Sequence, residues 1–154
     1  MQVNSRFNAK LLLTAEYLVL NGAKALAGPL RVGQAFSVVE KDPGIMSWHS
    51  ISSDGSAWFS GKYANTDFSI ISSCNPSIAV YPQRLMLAAR ELNPGFISQS
   101  EGCEVVSTLN YPLLWGLGSS STLIAAVAEW AGVDPFELHF KVSKGSGYDI
   151  ACAI

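Results

Sequence analysis

The sequence predicts a two-layer α+β domain, because strand-like segments dominate its first half and helical segments its second half. Its 154 residues are 49% hydrophobic, which supplies one buried core in about one domain's length. Only 14% of the residues are charged, against roughly a quarter in an ordinary soluble domain. The low charge excludes a disordered chain and suggests that part of the surface is normally covered. The formal net charge of −2 and the lack of a basic stripe argue against nucleic acid or an acidic membrane as a partner.

Strand signals come first along the chain. The segments that carry them are 2–8, 31–40, 45–52, 56–63, 68–72 and 103–109. Loose alternation makes the first an edge strand, whereas the second is rich in β-branched and aromatic residues. Between the third and fourth, Asp54-Gly55 predicts a hairpin. A dense apolar run, Leu11 to Leu20, precedes the turn pair Asn21-Gly22.

Helical signals follow. Helical spacing over 77–92 stops at Asn93-Pro94-Gly95, and residues 119–131 form an Ala-rich helix that ends at Gly132. Asp134-Pro135 caps and opens a short third helix. The last residues, 148–154, read as a helix that has just begun, without a closing cap. We expect the chain to be part of a longer protein or to associate with another copy; the alternative is a short apolar terminus docked in the core.

The cellular setting is predicted from absences in the sequence. Three cysteines lie far apart without a C-x-x-C pair, which disfavours a disulfide framework and a zinc site. The N-terminus lacks an apolar signal core, and no run reaches the roughly 18 apolar residues of a membrane span. A reducing, cytoplasmic location without a membrane is therefore expected.

The strongest chemical signal is the segment 116–122, Gly-Leu-Gly-Ser-Ser-Ser-Thr, which opens a predicted helix. Its glycines let the backbone approach a ligand, and the helix start adds unpaired N–H groups, a positive dipole end and hydroxyls. These features predict a phosphate site; the alternative is a glycine turn whose serines cap an ordinary helix. Neither the lysine of a P-loop nor the third glycine of the dinucleotide fingerprint is present, so both motifs are excluded.

Two other positions are suited to chemistry beside a phosphate. Asp149 follows the turn Gly145-Ser146-Gly147 at a helix start, where the dipole favours an ionised carboxylate for a base or charge partner. Lys10 stands among apolar residues, an unusual place for a solvated amine. The alternatives are a carboxylate that only stabilises its helix and a surface lysine with an apolar-packed stem. His49 and His139 lack partners at metal-binding spacing and are assigned to the core or the surface.

These segments resemble the GHMP kinase superfamily, which includes galactokinases, homoserine kinases, mevalonate kinases and phosphomevalonate kinases. Three motifs in the family's order carry the resemblance: K-L-L-L-T-A-E-Y from Lys10, P-L-L-W-G-L-G-S-S-S from Pro112, and G-S-G-Y-D-I-A from Gly145. The first and third are more similar to the phosphomevalonate kinase branch. The resemblance covers residues 8–153 and implies a domain like ribosomal protein S5 domain 2. Residues 1–154 would be the N-terminal ATP-binding domain of such a kinase, without its C-terminal lobe.

The resemblance implies transfer of the γ-phosphoryl group of ATP·Mg²⁺ to a small alcohol or phosphomonoester, such as mevalonate or phosphomevalonate. Asp149 would orient or deprotonate the acceptor, and Lys10 would bridge Asp149 and the phosphoryl group. Acceptor contacts would come from Glu16, Tyr17 and Gly147. The nucleotide would be bound by Pro112, Gly116, Leu117, Gly118, Ser119, Ser120 and Ser121, and the magnesium ion by Ser120 and Glu137.

The chain also departs from the family pattern. Ala9 and Ala15 stand where the family usually has glycine, and a positive φ there would cost roughly 1 kcal/mol and displace Lys10. Without the second lobe we expect little activity from the chain alone, and self-association through the uncovered surface. The alternative is a non-catalytic nucleotide-binding or assembly module of the same fold. An S5-like RNA-binding module is disfavoured by the acidic balance.

Overall fold

A computed structural model describes residues 3–14, 18–41, 43–97 and 102–154. Within these ranges the chain forms six strands and four α-helices. In chain order they are β1 (Val3–Leu12), β2 (Ala27–Lys41), β3 (Ile45–Ile51), β4 (Ala57–Ala64), β5 (Ile70–Ser73), α1 (Pro76–Leu92), β6 (Gly102–Leu109), α2 (Ser119–Ala131), α3 (Pro135–Val142) and α4 (Tyr148–Ala153). Two 3-10 turns lie at Leu18–Asn21 and Leu113–Trp115.

The strands form one mixed sheet in the order β1-β2-β6-β3-β4-β5. Its neighbours are antiparallel except for β3 and β6, which run parallel. One face is buried under the helices, where Phe36, Trp48 and Tyr63 are fully enclosed, whereas Ala35 and Lys62 on the other face are exposed. The predicted two-layer α+β class is therefore confirmed.

Local signals placed most elements correctly. The Asp54-Gly55 turn joins β3 and β4, with Gly55 at φ +84°. Asn75 caps α1 by accepting hydrogen bonds from the amides of Ser77 and Ile78. Pro82 lies inside this helix, where it has no N–H to donate to the carbonyl four residues earlier. The predicted ends of α2, Ser119 and Ala131, agree with the structure.

The edge strand β1 is longer than the predicted 2–8 and contains an irregularity that matters for the site. The register with β2 shifts between Asn8 and Lys10. Opposite the shift, a Cβ on Gly33 would lie 2.0 Å from the carbonyl oxygen of Phe7, so only glycine allows this close approach. Strict alternation from Phe7 would turn Lys10 away from the helices, and the shift instead lets Lys10 reach α4. Ala9 does not adopt a positive φ, so the predicted cost of alanine there does not arise.

Helix α2 is the central helix of the second layer. Its interior from Ser121 to Ala128 is buried, in keeping with its small side chains. The hydroxyl of Thr122 donates to the side-chain oxygen of Gln34 on β2 at 2.6 Å, and both groups are buried. This bond fixes the N-terminus of α2 over the sheet.

Two short helices complete the layer beside the N-terminus of α2. Asp134 caps α3 through the amides of Phe136 and Glu137. Gly147, at φ +82°, begins α4 as its N-cap, and α4 packs between α2 and β1. In the described part of the chain, none of the helices has the length and apolar character needed to cross a bilayer.

Candidate active site

The loop that precedes α2 is held in place by an apolar cluster and by a backbone hydrogen bond from β1. Leu113 and Leu117 pack on a small apolar cluster formed by Ala9, Leu109 and Tyr111. The backbone amide of the lysine that follows Ala9 donates to the carbonyl of Leu117 at 3.0 Å. Because the loop is anchored to β1 and β6, the start of α2 has a fixed position.

The start of α2 offers unpaired donors. Gly118 is its N-cap at φ +88°, and no side chain caps the helix. The first helical bond runs from the amide of Thr122 to the carbonyl of Gly118 at 3.1 Å. The amides of residues 119–121 therefore have no acceptor within the described ranges, and they coincide with the positive end of the helix dipole. This arrangement suits a phosphate group.

Gly118 is required for two independent reasons. Its φ of +88° lies in the left-handed region, which disfavours side chains. A Cβ at this position would lie 2.9 Å from the Ser121 hydroxyl oxygen, 3.0 Å from Lys10 Cγ and 3.1 Å from Lys10 Cε. The glycine thus makes room for the lysine stem to cross the loop.

Lys10 and Asp149 form an ion pair at this crossing. Lys10 Nζ lies 3.1 Å from Asp149 Oδ1, with side-chain exposures of 16% and 32%. Lys10 Nζ also donates to the Tyr148 hydroxyl oxygen at 2.9 Å. Burial lowers the pKa of Lys10, but the hydrogen bonds to Tyr148 and Asp149 and the Asp149 charge outweigh it, so the pKa is raised. The lysine is therefore a cation at all physiological pH values.

A polar cavity of about 200 Å³ brings the two main motifs together. Ser120 and Ser121 from the start of α2 line it together with Asp149 from α4. Its other walls are Tyr81, Ile124, His139, Val142, Ser143 and Gly145. The carboxylate and the uncapped helix start thus line the same cavity, which has room for a phosphate-sized group.

An apolar cavity of about 130 Å³ lies next to the polar one. It is formed between β3, β4, α1 and the start of α2, and Trp48, Trp58 and Ile78 are among its walls. Tyr81 and Ser120 line both cavities. A ligand with a flat apolar part and a charged tail would span the two.

Several implied site residues have other positions or roles in the structure. The Ser121 hydroxyl donates to the carbonyl of Gly118 at 2.7 Å, so it stabilises the loop as well as lining the cavity. Gly147 is buried, with the Phe136 ring 3.3 Å from where a Cβ would stand; it starts α4 instead of lining the cavity. Pro112 is exposed at the beginning of the loop, and exposed Glu137 on α3 does not line the cavity.

The remaining residues that the resemblance implies lie either at the loop and the start of α2 or outside the described residues. Gly116 has φ +69° and open space around it, so it shapes the turn. Ser119 and Ser120 both line the apolar cavity. Glu16 and Tyr17 lie outside the described residues, as does Ala15.

Sequence reasoning did not place two residues at the site, one that lines the polar cavity and one that contacts the ion pair. His139, assigned to the core or surface, is buried and lines the polar cavity, with Nε2 3.2 Å from the carbonyl oxygen of Gly145. Tyr148 contacts the Lys10 ammonium. Tyr148 could have been found from its place beside Asp149, whereas no sequence signal places His139 near the serines.

The structure matches those of GHMP kinases. It aligns with Lactococcus lactis galactokinase, solved with galactose, at TM-score 0.66 and 15% identity, covering 97% of this chain and 38% of that one. The mevalonate kinase of Methanococcus jannaschii gives TM-score 0.65 and 14% identity over 98% of this chain and 51% of that one. The mevalonate kinase of Staphylococcus aureus MRSA252 gives TM-score 0.59 and 20% identity, over 99% of this chain and 50% of that one.

The matched kinases share the fold of this chain, and the chain spans between about a third and a half of their lengths. No family model matches the sequence, and no curated protein matches it. The chain therefore has the fold of these galactose and mevalonate kinases.

Proposed function

We propose that this chain is the ATP-binding domain of a GHMP-type phosphotransferase. It would transfer the γ-phosphoryl group of ATP to a small alcohol or phosphomonoester, with mevalonate and phosphomevalonate as the first candidates. The observation that carries the proposal is the Lys10–Asp149 ion pair beside the cavity that Asp149 shares with the uncapped start of α2. A base, a fixed cation and phosphate-binding amides are the groups that phosphoryl transfer needs.

The two adjacent cavities support a nucleotide as the ligand. The apolar cavity is walled by Trp48, Trp58 and Tyr81, which suits a planar base. The amides of 119–121 lie at its border and suit the phosphates. Because Ser120 lines both cavities, a nucleotide seated this way would extend its terminal phosphate toward Asp149.

The residues present also fit a magnesium ion that is held mainly by phosphate oxygens. No group of three His, Cys, Asp or Glu side chains within the described ranges is placed to hold a metal alone. Magnesium in nucleotide sites keeps several waters and takes only one or two protein ligands. The Ser120 hydroxyl, which lines both cavities, would serve as such a ligand. A bound magnesium ion would neutralise phosphate charge during transfer.

The chain's own groups have separate tasks in the proposed reaction. Asp149 would accept the proton of the acceptor hydroxyl, or orient it, from the first turn of α4. Lys10 pairs with that carboxylate and supplies positive charge to the transferred group. The amides of α2 hold the donor phosphates without any movement of the backbone.

The alternative is a non-catalytic nucleotide-binding or assembly module of the same fold. Titration calorimetry with Mg·ATP and a radiometric assay of phosphoryl transfer to mevalonate and phosphomevalonate separate the two. For the kinase, Asp149→Asn should lower transfer at least about a hundredfold and leave ATP affinity within about threefold.

Glu91→Gln is the matched control, because Glu91 is an exposed carboxylate on α1 that pairs with the surface lysine Lys141. It should leave both measurements unchanged. ATP binding without transfer by the unsubstituted chain would favour the non-catalytic module. Failure to bind Mg·ATP at millimolar concentration would refute both.

We also propose that copies of the chain associate through an apolar surface beside the loop. The surface consists of the exposed side chains Leu11, Leu13, Leu26, Leu114 and Trp115. The amide of Leu13 donates to the carbonyl of Leu26, and the amide of Lys10 donates to Leu117 in the loop that carries Leu114 and Trp115. Leu114 is 95% exposed. Exposure of an apolar patch of this kind to water is unfavourable, and a second copy would cover it.

Sedimentation velocity tests this association. The unsubstituted chain should sediment as a dimer or larger species at micromolar concentration, and Trp115→Gln should weaken the association at least about tenfold. Ile71→Gln is the control, since Ile71 is an exposed apolar residue on the opposite edge strand β5. A monomer at all concentrations would exclude the interface.

A further inference from the structure

Tyr148 contacts the ammonium of Lys10 in two ways. Its hydroxyl oxygen accepts a hydrogen bond from Lys10 Nζ at 2.9 Å. Its ring centroid lies 5.0 Å from the same nitrogen, within the range of a cation–π interaction. The proposed function assigns Tyr148 no task, although it directly precedes Asp149.

The donors of Lys10 can be counted. An ammonium group has three N–H donors. In the part of the chain that the structure describes, Tyr148 accepts one hydrogen bond, and Asp149 pairs with the ammonium at 3.1 Å without a well-aligned hydrogen bond. At most two donors are therefore engaged, and the third is left for a ligand oxygen. The lysine stem is confined where it crosses Gly118. Rotation at the end of the side chain is therefore the main freedom that remains, and the Tyr148 hydroxyl restricts it.

We infer that Tyr148 is a positioning residue, whose hydroxyl holds the Lys10 ammonium beside Asp149 so that its third N–H is kept for the transferred phosphoryl group. The inference rests on the proposed function for the identity of the ligand, but not for the contact itself. Without the hydroxyl, the ammonium would lose one of the two groups that fix its rotation. Its third N–H would then no longer be held toward the phosphate.

The groups that surround Lys10 come from α4, from the loop before α2 and from β2. From α4 these are Tyr148, Asp149 and the buried thiol of Cys152, whose pKa is raised by burial and by Asp149. From the α2 loop they are the neutral Ser121 hydroxyl and Gly118, and the register partner on β2 is Pro29. Burial raises the pKa of Tyr148, so the phenol is neutral and its oxygen accepts from the lysine.

The first test measures the lysine itself. In protein labelled with ¹³C,¹⁵N-lysine, the Lys10 side-chain resonance is titrated by NMR between pH 8 and 12 and assigned with Lys10→Arg. Removal of the hydrogen bond in Tyr148→Phe should lower the Lys10 titration midpoint relative to the unsubstituted chain. Tyr111→Phe is the matched control, because the Tyr111 hydroxyl is buried and without a partner within the described ranges. Equal midpoints in the Tyr148→Phe and unsubstituted proteins would overturn the inference.

The second test asks whether Tyr148 acts through Lys10. Tyr148→Phe should weaken Mg·ATP binding about threefold to tenfold, the usual effect of one hydrogen bond, and Tyr111→Phe should not. In a Lys10→Met background, Tyr148→Phe should have no further effect. An equal loss in both backgrounds would contradict positioning through Lys10. If the midpoint falls but no variant binds ATP, the proposed function fails and the contact between Tyr148 and Lys10 stands.

Discussion

Gly118→Ala should remove measurable Mg·ATP binding and lower the free energy of unfolding by about 1–3 kcal/mol, the usual cost of a side chain at a left-handed position. The added Cβ would stand 2.9 Å from the Ser121 hydroxyl oxygen and 3.0 Å from Lys10 Cγ. One of them must move, and either movement disturbs the start of α2 or the ion pair with Asp149. Calorimetric titration with Mg·ATP and thermal unfolding measure the two effects.

Gly116→Ala is the control that separates strain from contact. Gly116 also has a positive φ, +69°, but nothing lies within 4 Å of its added Cβ. It should show a similar loss of stability from the backbone and a much smaller loss of ATP affinity. If both variants bind ATP equally well, close packing of the lysine stem against the loop has no role in the site.

Lys10→Met has the second largest expected effect, because it leaves the Asp149 carboxylate without its cation. Complete loss of one partner of a fully buried pair costs about 3–5 kcal/mol; here we expect about 1–2 kcal/mol, since Asp149 is 32% exposed. Mg·ATP affinity should fall about tenfold to a hundredfold through loss of a charged hydrogen bond. Urea unfolding and calorimetry test the two expectations.

Lys141→Met provides the comparison with a surface ion pair. Lys141 lies 2.7 Å from Glu91, but the two side chains are 38% and 67% exposed, so its loss should cost at most about 0.5 kcal/mol. Equal destabilisation by the two methionine variants would show that the partly buried position of Lys10 gives its ion pair no special value.

The same pair gives the stability a definite pH dependence. The pKa of Lys10 is raised above its usual 10.5 by Tyr148 and Asp149, against the effect of burial. The stabilisation from a raised pKa is complete below the unfolded value and is lost as the pH rises through the folded value. The difference in stability between the unsubstituted chain and Lys10→Met should therefore be constant between pH 7 and 9 and shrink above about 10.5.

Sequence reasoning succeeded where a structural cause is local. The Asp54-Gly55 hairpin, the cap of α3 at Asp134 and both ends of α2 depend on a few adjacent residues, so their signals are complete in the sequence. The loop at 116–122 was identified for the same reason, since its glycines and the start of its helix are consecutive.

Contacts between distant segments could not be read in this way. His139 shows no signal, because only the packing of α3 against α2 carries it to the polar cavity. Glu137, two residues earlier, was implied as a magnesium ligand by the family resemblance, and it lies on the exposed side of the same helix. A helix face is selected by the neighbouring elements, and the residue type alone does not reveal it.

The sequence by itself determined the class of fold, the limits of the main helices and the three segments that carry polar chemistry. The tertiary structure alone decided that Lys10 reaches α4. That outcome depends on the register shift between β1 and β2, on the close approach that Gly33 permits, and on the gap at Gly118. Each is a contact between residues far apart in the chain, whose energies arise only once the sheet and helices have packed together.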